Sequence, residues 1–70
     1  MKMQGYMEYL GWSITDLHRN AEISLVTARR AVRGKVIRPF IAQRIAKALT
    51  DALGTPVMPG DIEDLNIERK

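Results

Sequence analysis

Seven basic residues lie between Ile23 and Thr50, and no acidic residue interrupts them. They are Arg29, Arg30, Arg33, Lys35, Arg38, Arg44 and Lys47. This middle segment carries a charge of +7 and the remainder −4, which gives the net charge of +3. A positive segment attracts polyanions, of which nucleic acid is the commonest in a cytoplasm. A solvated basic face without a partner has the same composition, so charge alone does not distinguish these two interpretations.

The spacing of the arginines gives more information than their number. On a helix that begins after Ser24, the following residues divide into two faces. One face is small and apolar and consists of Leu25, Ala28, Ala31 and Val32. The opposite face carries Val26, Arg29, Arg30 and Arg33. Because unpaired charges are almost never buried, the arginine face must meet water, acidic groups or phosphate.

The residue types on this helix suit contact with a DNA duplex. An arginine can bind guanine O6 and N7 through two parallel hydrogen bonds, and it also pairs well with phosphate. Ser24 and Thr27 could add hydroxyl contacts to phosphate at the first turn, and Val26 could pack on a thymine methyl. We favour contact with the major groove over a solvated face, because the basic arc coincides with two short helices joined by a tight turn.

The elements that must position these side chains are predicted to be helices. Apolar residues recur at three- and four-residue steps, and strand-like alternation is absent. Helix starts are predicted at Ser13, Ser24 and Pro39, with a short fifth helix opening at Pro59. A first helix around 6–10 is predicted to close at Gly11, and later helices near Asn20, Gly34 and Gly54. The prediction is an all-α domain of four or five helices over 1–66, followed by a frayed tail over 67–70.

Composition excludes several classes of protein. Seventy residues without cysteine allow one small core, no disulfide scaffold and no thiolate zinc site. His18, the single histidine, is predicted to be partly buried with one hydrogen bond rather than to bind metal. We find no nucleophile–base set, Gly-rich phosphate loop, signal peptide or membrane-length apolar run. We therefore expect a cytoplasmic binding protein, not an enzyme, without cofactor, metal, small-molecule ligand or membrane partner.

The stretch from Ile14 to Lys35, ITDLHRNAEISLVTARRAVRGK, resembles the helix-turn-helix of Cro/repressor-type (XRE-like, lambda-repressor-like) DNA-binding domains. The stretch 38–54 is similar to the helix that follows in that family, and 1–11 takes the place of its first helix. The resemblance implies a compact lambda-repressor-like domain of four to five helices. It also implies a sequence-specific regulator of transcription, with repression as the first expectation. In that family the third helix enters the major groove, commonly from a symmetric dimer.

Position by position, the resemblance implies a set of DNA-contacting residues. It implies that contacts begin at the start of the third helix, that Arg29 and Arg30 read bases, and that Lys35 returns to the backbone. The expected set is Ser24, Leu25, Val26, Thr27, Arg29, Arg30, Arg33, Lys35 and Arg38. The chain departs from the family in the turn, where Glu22 stands in place of the usual glycine; a left-handed non-glycine residue costs roughly 1 kcal/mol or more.

Other interpretations of these features stay open. The basic face could bind an acidic protein, which would make the chain an interaction module or an antitoxin-like partner. With DNA as the partner we expect a homodimer, at least on the duplex, because one module this small contacts little surface. Its dimer surface could be the first helix or the apolar residues Met58, Ile62, Leu65 and Ile67. Aromatic Tyr6, Tyr9 and Trp12 could stack on bases, although helical spacing favours core packing for all three.

Overall fold

The computed structural model describes residues 1–69, and four α-helices form its framework. They are α1 (Met3–Leu10), α2 (Ile14–Ala21), α3 (Leu25–Val32) and α4 (Pro39–Leu53). Within 1–69 there is no strand, and one isolated bridge pairs Ile37 with Ile67. The molecule measures 31 × 22 × 18 Å, so the all-helical, compact prediction is confirmed. No helix in the described range is long and apolar enough to cross a membrane.

Local signals set most of the helix boundaries. The Ser13 hydroxyl accepts a hydrogen bond from the Asp16 N–H at 3.2 Å, and the Asp16 carboxylate accepts from the Ser13 N–H at 2.8 Å. These reciprocal bonds satisfy two otherwise free donors at the start of α2. Helix α4 begins at Pro39, and Gly54 ends it in the left-handed region with φ of 75°. The predicted starts at Ser13 and Pro39 and the predicted stop at Gly54 are confirmed.

The start of α1 depends on a distant side chain. The helix begins at Met3, three residues before the expected first turn, because the Met3 N–H donates to the Asp64 carboxylate at 2.7 Å. The terminal ammonium of Met1 pairs with the Glu63 carboxylate at 2.9 Å. The hydrogen bond and the positive charge of that ammonium lower the pKa of Glu63. The two ends of the described chain are therefore held together.

One hydrophobic core lies between the helices. Leu17 of α2 and Ile45 and Leu49 of α4 are fully buried at its centre, with Met3 of α1. Helix α2 packs against both α3 and α4. Helix α3 contributes Ala28 and Ala31, whose small side chains let it lie close to its neighbours. The core thus holds α3 from one side and leaves the other side to solvent.

The structure corrects three of the sequence predictions, two in the segment after α4 and one in α1. Pro59 opens a 3₁₀ turn of three residues (Pro59–Asp61) rather than a fifth α-helix, because the Asp61 carboxylate closes the turn by accepting from the Met58 N–H. Ile62, a suggested dimer contact, is 2% exposed and belongs to the core. Met58 is exposed, as a dimer contact requires, whereas Tyr9 of α1 is 75% exposed rather than part of the core.

The expected frayed tail over 67–70 is also different in the structure. The Ile37 N–H donates to the Asn66 carbonyl at 2.9 Å, and the Glu68 N–H donates to the Ile37 carbonyl at 2.7 Å. Ile37 belongs to the core and Ile67 packs against it, so apolar burial accompanies these hydrogen bonds. Ordered structure therefore continues past residue 66 through Glu68, and Lys70 lies outside the described residues.

Candidate nucleic-acid interface

Helix α3 has one buried face and one exposed face. Ala28 is 0% and Ala31 1% exposed, and Leu25 and Val32 are half-buried. Val26 is 66% exposed, and the three arginines of the outer face, Arg29, Arg30 and Arg33, are exposed with it. The predicted division of α3 into two faces is confirmed, and its contact with DNA stays a prediction.

The cations on the outer face of α3 are not neutralised by the chain's own carboxylates. Among residues 1–69 the structure shows one ion pair, between the Met1 ammonium and the Glu63 carboxylate, and it does not involve α3. Arg29, Arg33 and Lys35 line a shallow depression together with Val26 and Arg30. Four cationic side chains around one exposed valine form a surface suited to a polyanion with apolar groups, such as the edge of a base-pair stack.

Arg30 is held in place by a backbone contact. Its guanidinium donates to the Val36 carbonyl at 2.9 Å, in the connection between α3 and α4. A guanidinium has further N–H donors, so this bond leaves Arg30 able to bind an anion or a base edge. The contact fixes the direction of the side chain and reduces the conformational entropy that binding would remove.

The first turn of α3 separates the roles of its two hydroxyls. The Ser24 hydroxyl accepts from the Thr27 N–H at 3.1 Å and donates to the Thr27 hydroxyl oxygen at 2.7 Å. Because a hydroxyl has one proton to donate, Ser24 acts here as the helix cap, and Thr27 retains its own proton for a ligand. The cap therefore leaves Thr27 as the better phosphate donor of the two.

A second depression lies between α3 and the start of α4. Its lining includes Thr27, Arg30 and Arg38, and also the exposed apolar side chains of Val36 and Phe40. Arg38 precedes Pro39 at the start of α4 and is exposed. Sequence analysis did not identify Val36 or Phe40, although Phe40 stands outside the regular apolar series of α4 and so could have been assigned to the surface.

The connection between α2 and α3 has a left-handed residue. Glu22 adopts φ of 56° and ψ of 46°, the conformation that the glycine of the resembled family would have. The Glu22 carbonyl accepts a hydrogen bond from the Arg44 guanidinium at 2.8 Å. His18 is half-buried and donates from Nδ1 to the Ile23 carbonyl, which confirms the expectation of a single structural hydrogen bond. The part played by Arg44 was missed, since its partner lies 22 residues away.

The described residues contain no group of three or more histidine, cysteine or acidic side chains that could hold a metal ion.

Comparisons with protein-family models, with curated proteins and with solved structures find no match to this chain. The similarity to Cro/repressor-type domains therefore stays a prediction from the residues quoted above. The candidate interface is the outer face of α3 with Lys35, Arg38 and the start of α4.

Proposed function

We propose that this chain is a double-stranded DNA-binding domain of the helix-turn-helix class, in which α2, the turn at Glu22 and α3 form the motif. Helix α3 enters the major groove, and the biological role is regulation of transcription, with repression as the first expectation. The observation that carries the proposal is the exposed face of α3, whose arginines have no carboxylate partner among residues 1–69.

The dimensions of α3 support this proposal. An α-helix with its side chains is about 10–12 Å in diameter, which fits a major groove about 12 Å wide, and the eight residues of α3 extend about 12 Å along the helix axis. The buried alanines place the helix against the core, while the arginines project from its far side. On this proposal Arg29, Arg30 and Arg33 reach base edges and phosphates, and Val26 meets a thymine methyl.

The residues around α3 supply contacts to the sugar–phosphate backbone. Lys35 follows α3 and Arg38 precedes α4, so both cations lie in the connection between these two helices. Thr27 offers a free hydroxyl proton at the first turn. Contacts of this kind fix the register of a protein on the duplex without reading sequence. The proposed role is binding, and no step of catalysis is assigned to any residue.

We further propose that the domain binds DNA as a homodimer. A single eight-residue helix reads only a few base pairs, so specific binding needs a second copy on the next major-groove turn. Exposed apolar side chains away from α3 are available for self-association, among them Tyr9 and Met58.

A second candidate function is an interaction module that binds an acidic protein, including an antitoxin-like partner. The observation that favours it is the exposed pair Val36 and Phe40 beside the basic residues. Apolar side chains beside cations are typical of protein interfaces, in which aromatic residues act as anchors. This candidate predicts that Phe40→Ala weakens the complex more than removal of one arginine does.

Titration of a labelled duplex at several salt concentrations tests the proposal. A DNA-binding domain loses affinity with a log–log slope of about −0.9 for each phosphate that it neutralises. A selected sequence should be bound at least about a thousandfold more tightly than a random duplex. Equal affinity for all duplexes, or no binding in low salt, would reject the DNA proposal and favour the acidic-protein partner.

A further inference from the structure

The turn between α2 and α3 is strained and must be held by its surroundings. Glu22 is the non-glycine residue with positive φ within the range 1–69. An L-residue in the left-handed region costs roughly 1–2 kcal/mol, a cost that glycine avoids. The angle at which α3 leaves α2 depends on this conformation, since Ile23 and Ser24 complete the connection.

Hydrogen bonds from three directions stabilise the turn. The N–H groups of Glu22 and Ile23 both donate to the His18 carbonyl, the latter at 3.2 Å. The His18 ring donates to the Ile23 carbonyl. The Glu22 carbonyl is bound by the Arg44 guanidinium, at 2.8 Å. Of the donors that stabilise the turn, Arg44 is the one that lies outside α2 and the turn itself, so its hydrogen bond connects the turn to α4.

Arg44 is itself oriented by an aromatic side chain on its own helix. The carbon of its guanidinium lies 5.8 Å from the centre of the Phe40 ring, within the range of a cation–π contact. Phe40 and Arg44 are four residues apart, which places them on the same face of α4. The guanidinium is thus located between the Phe40 ring and the strained turn.

We infer that Arg44 is a positioning residue that compensates for the absence of glycine at position 22. By binding the Glu22 carbonyl it favours the left-handed turn and so fixes α3 for the partner. The effect on affinity rests on the proposed DNA-binding function; the effect on the turn does not. Loss of a hydrogen bond of this kind lowers the ratio of left-handed to other turn conformations about fivefold. Affinity then falls by up to the same factor, because only the competent fraction binds.

A direct phosphate contact by Arg44 is the competing explanation, since the side chain is exposed and basic. The variant Arg44→Gln removes both the charge and the guanidinium, and Lys47→Gln is its matched control. Lys47 is one turn along α4, lines a depression that it shares with Glu22 and Arg44, and forms no ion pair or side-chain hydrogen bond within the described chain. On our inference Arg44→Gln loses affinity up to about fivefold. Lys47→Gln loses affinity only through its charge.

Coupling between positions 22 and 44 separates the two explanations. In a Glu22→Gly background the left-handed turn forms without help, so adding Arg44→Gln should change affinity less than about twofold. In a Glu22→Gln background, which removes the charge but keeps the strain, Arg44→Gln should retain its full effect. An equal loss in all three backgrounds, with a salt slope reduced by about 0.9, would identify a phosphate contact and overturn the inference. A loss abolished equally by glycine and glutamine would overturn it as well, because it would indicate simple charge pairing.

Amide hydrogen exchange tests the turn without any nucleic acid. Exchange at the Glu22 and Ile23 amides should rise about fivefold in Arg44→Gln. It should stay at the wild-type rate in Lys47→Gln and in the Glu22→Gly/Arg44→Gln double variant. Unchanged exchange in Arg44→Gln would refute the positioning role even if the chain binds DNA. Raised exchange in a chain that binds no duplex would sustain that role and reject only the proposed function.

Discussion

Replacement of Arg30 by alanine is the sharpest test of base reading by α3. The side chain is exposed, forms no ion pair in the described range and is directed by its bond to the Val36 carbonyl. A bidentate contact to guanine contributes about 1–3 kcal/mol of discrimination, so Kd for the preferred duplex should rise about five- to 150-fold. Kd for a random duplex should rise much less, because that complex loses one charge and no base contact.

Two matched variants separate the guanidinium from its charge. Arg30→Lys keeps the charge but lacks the planar fork, so it should lose sequence preference while the salt slope stays that of the wild type. Lys35→Ala should weaken binding to every duplex alike and reduce the salt slope by about 0.9. The bond from Arg30 to the Val36 carbonyl is exposed and contributes on the order of 1 kcal/mol, a small part of the unfolding free energy of a domain, so the fold should survive the change.

The assay requires a preferred sequence, which selection from a random duplex pool supplies. Fluorescence anisotropy then gives Kd at several salt concentrations for the preferred duplex, its single-base variants and a random duplex. Urea unfolding of each variant checks that the helices are intact. The reasoning fails if Arg30→Ala and Lys35→Ala weaken all duplexes to the same degree, or if Arg30→Lys retains the wild-type preference.

Four further predictions concern the cap, the pH dependence, the valine and the oligomer. Ser13→Ala should lower the unfolding free energy by about 1 kcal/mol in urea, because it removes the cap of α2. Hydrogen bonds from the Ser13 N–H and from its hydroxyl lower the pKa of Asp16. The Asp16 carboxylate therefore stabilises the fold above the ordinary aspartate pKa, and this contribution is lost as the pH falls through the lowered value. Below about pH 4 the urea midpoint of the wild type should fall more steeply than that of Asp16→Asn; parallel curves would contradict this. Replacing the contacted thymine by deoxyuridine should weaken the wild type about fourfold and leave Val26→Ala unaffected, as measured by anisotropy. Sedimentation velocity at micromolar concentration should detect two chains on a duplex with half-sites about 34 Å apart, and a single bound chain would refute the dimer.

Features encoded within a few residues were predictable from the sequence. Ser13 and Asp16 lie within one turn, so their reciprocal cap follows from local geometry. Gly54 ends α4 because glycine adopts positive φ without steric cost. The two faces of α3 follow from helical periodicity, which places Ala28 and Arg30 on opposite sides. In each case the physical cause is contained in the segment itself.

Features that depend on distant partners were not predictable. The Met3 N–H is capped by Asp64, 61 residues later, and Ile37 pairs with a segment that local composition assigned to a frayed end. Periodicity indicates which side of a helix is apolar, but it does not specify which residues outside the helix meet that side. The same limit explains the errors at Tyr9, which is exposed, and at Ile62, which is buried.

The candidate site also combines features that are encoded locally with features that depend on distant partners. The exposure of Arg29, Arg30 and Arg33 follows from the helix, whereas the bond from Arg30 to the Val36 carbonyl depends on the path of the chain after α3. The bond from Arg44 to Glu22 depends on the packing of α4 against α2. Sequence analysis thus finds which cations are available, and the tertiary fold determines which of them are fixed in direction.

Stability and the proposed recognition reside on opposite faces of α3. The buried face is made of alanines and two half-buried aliphatic side chains, and it supplies packing with the core. The outer face brings like charges together without internal carboxylates, an arrangement that opposes folding slightly and becomes favourable only when an anion binds. Because the two faces share no side chain, variants of the outer face should change the proposed affinity for DNA with little effect on the core. Arg30 is the exception on this face, since it also binds the Val36 carbonyl, and Arg44 of α4 is a second position at which a side chain binds the backbone of a neighbouring segment. A loss of affinity at these two positions therefore needs a fold control, whereas a loss at Arg29 or Arg33 reports on the contact itself.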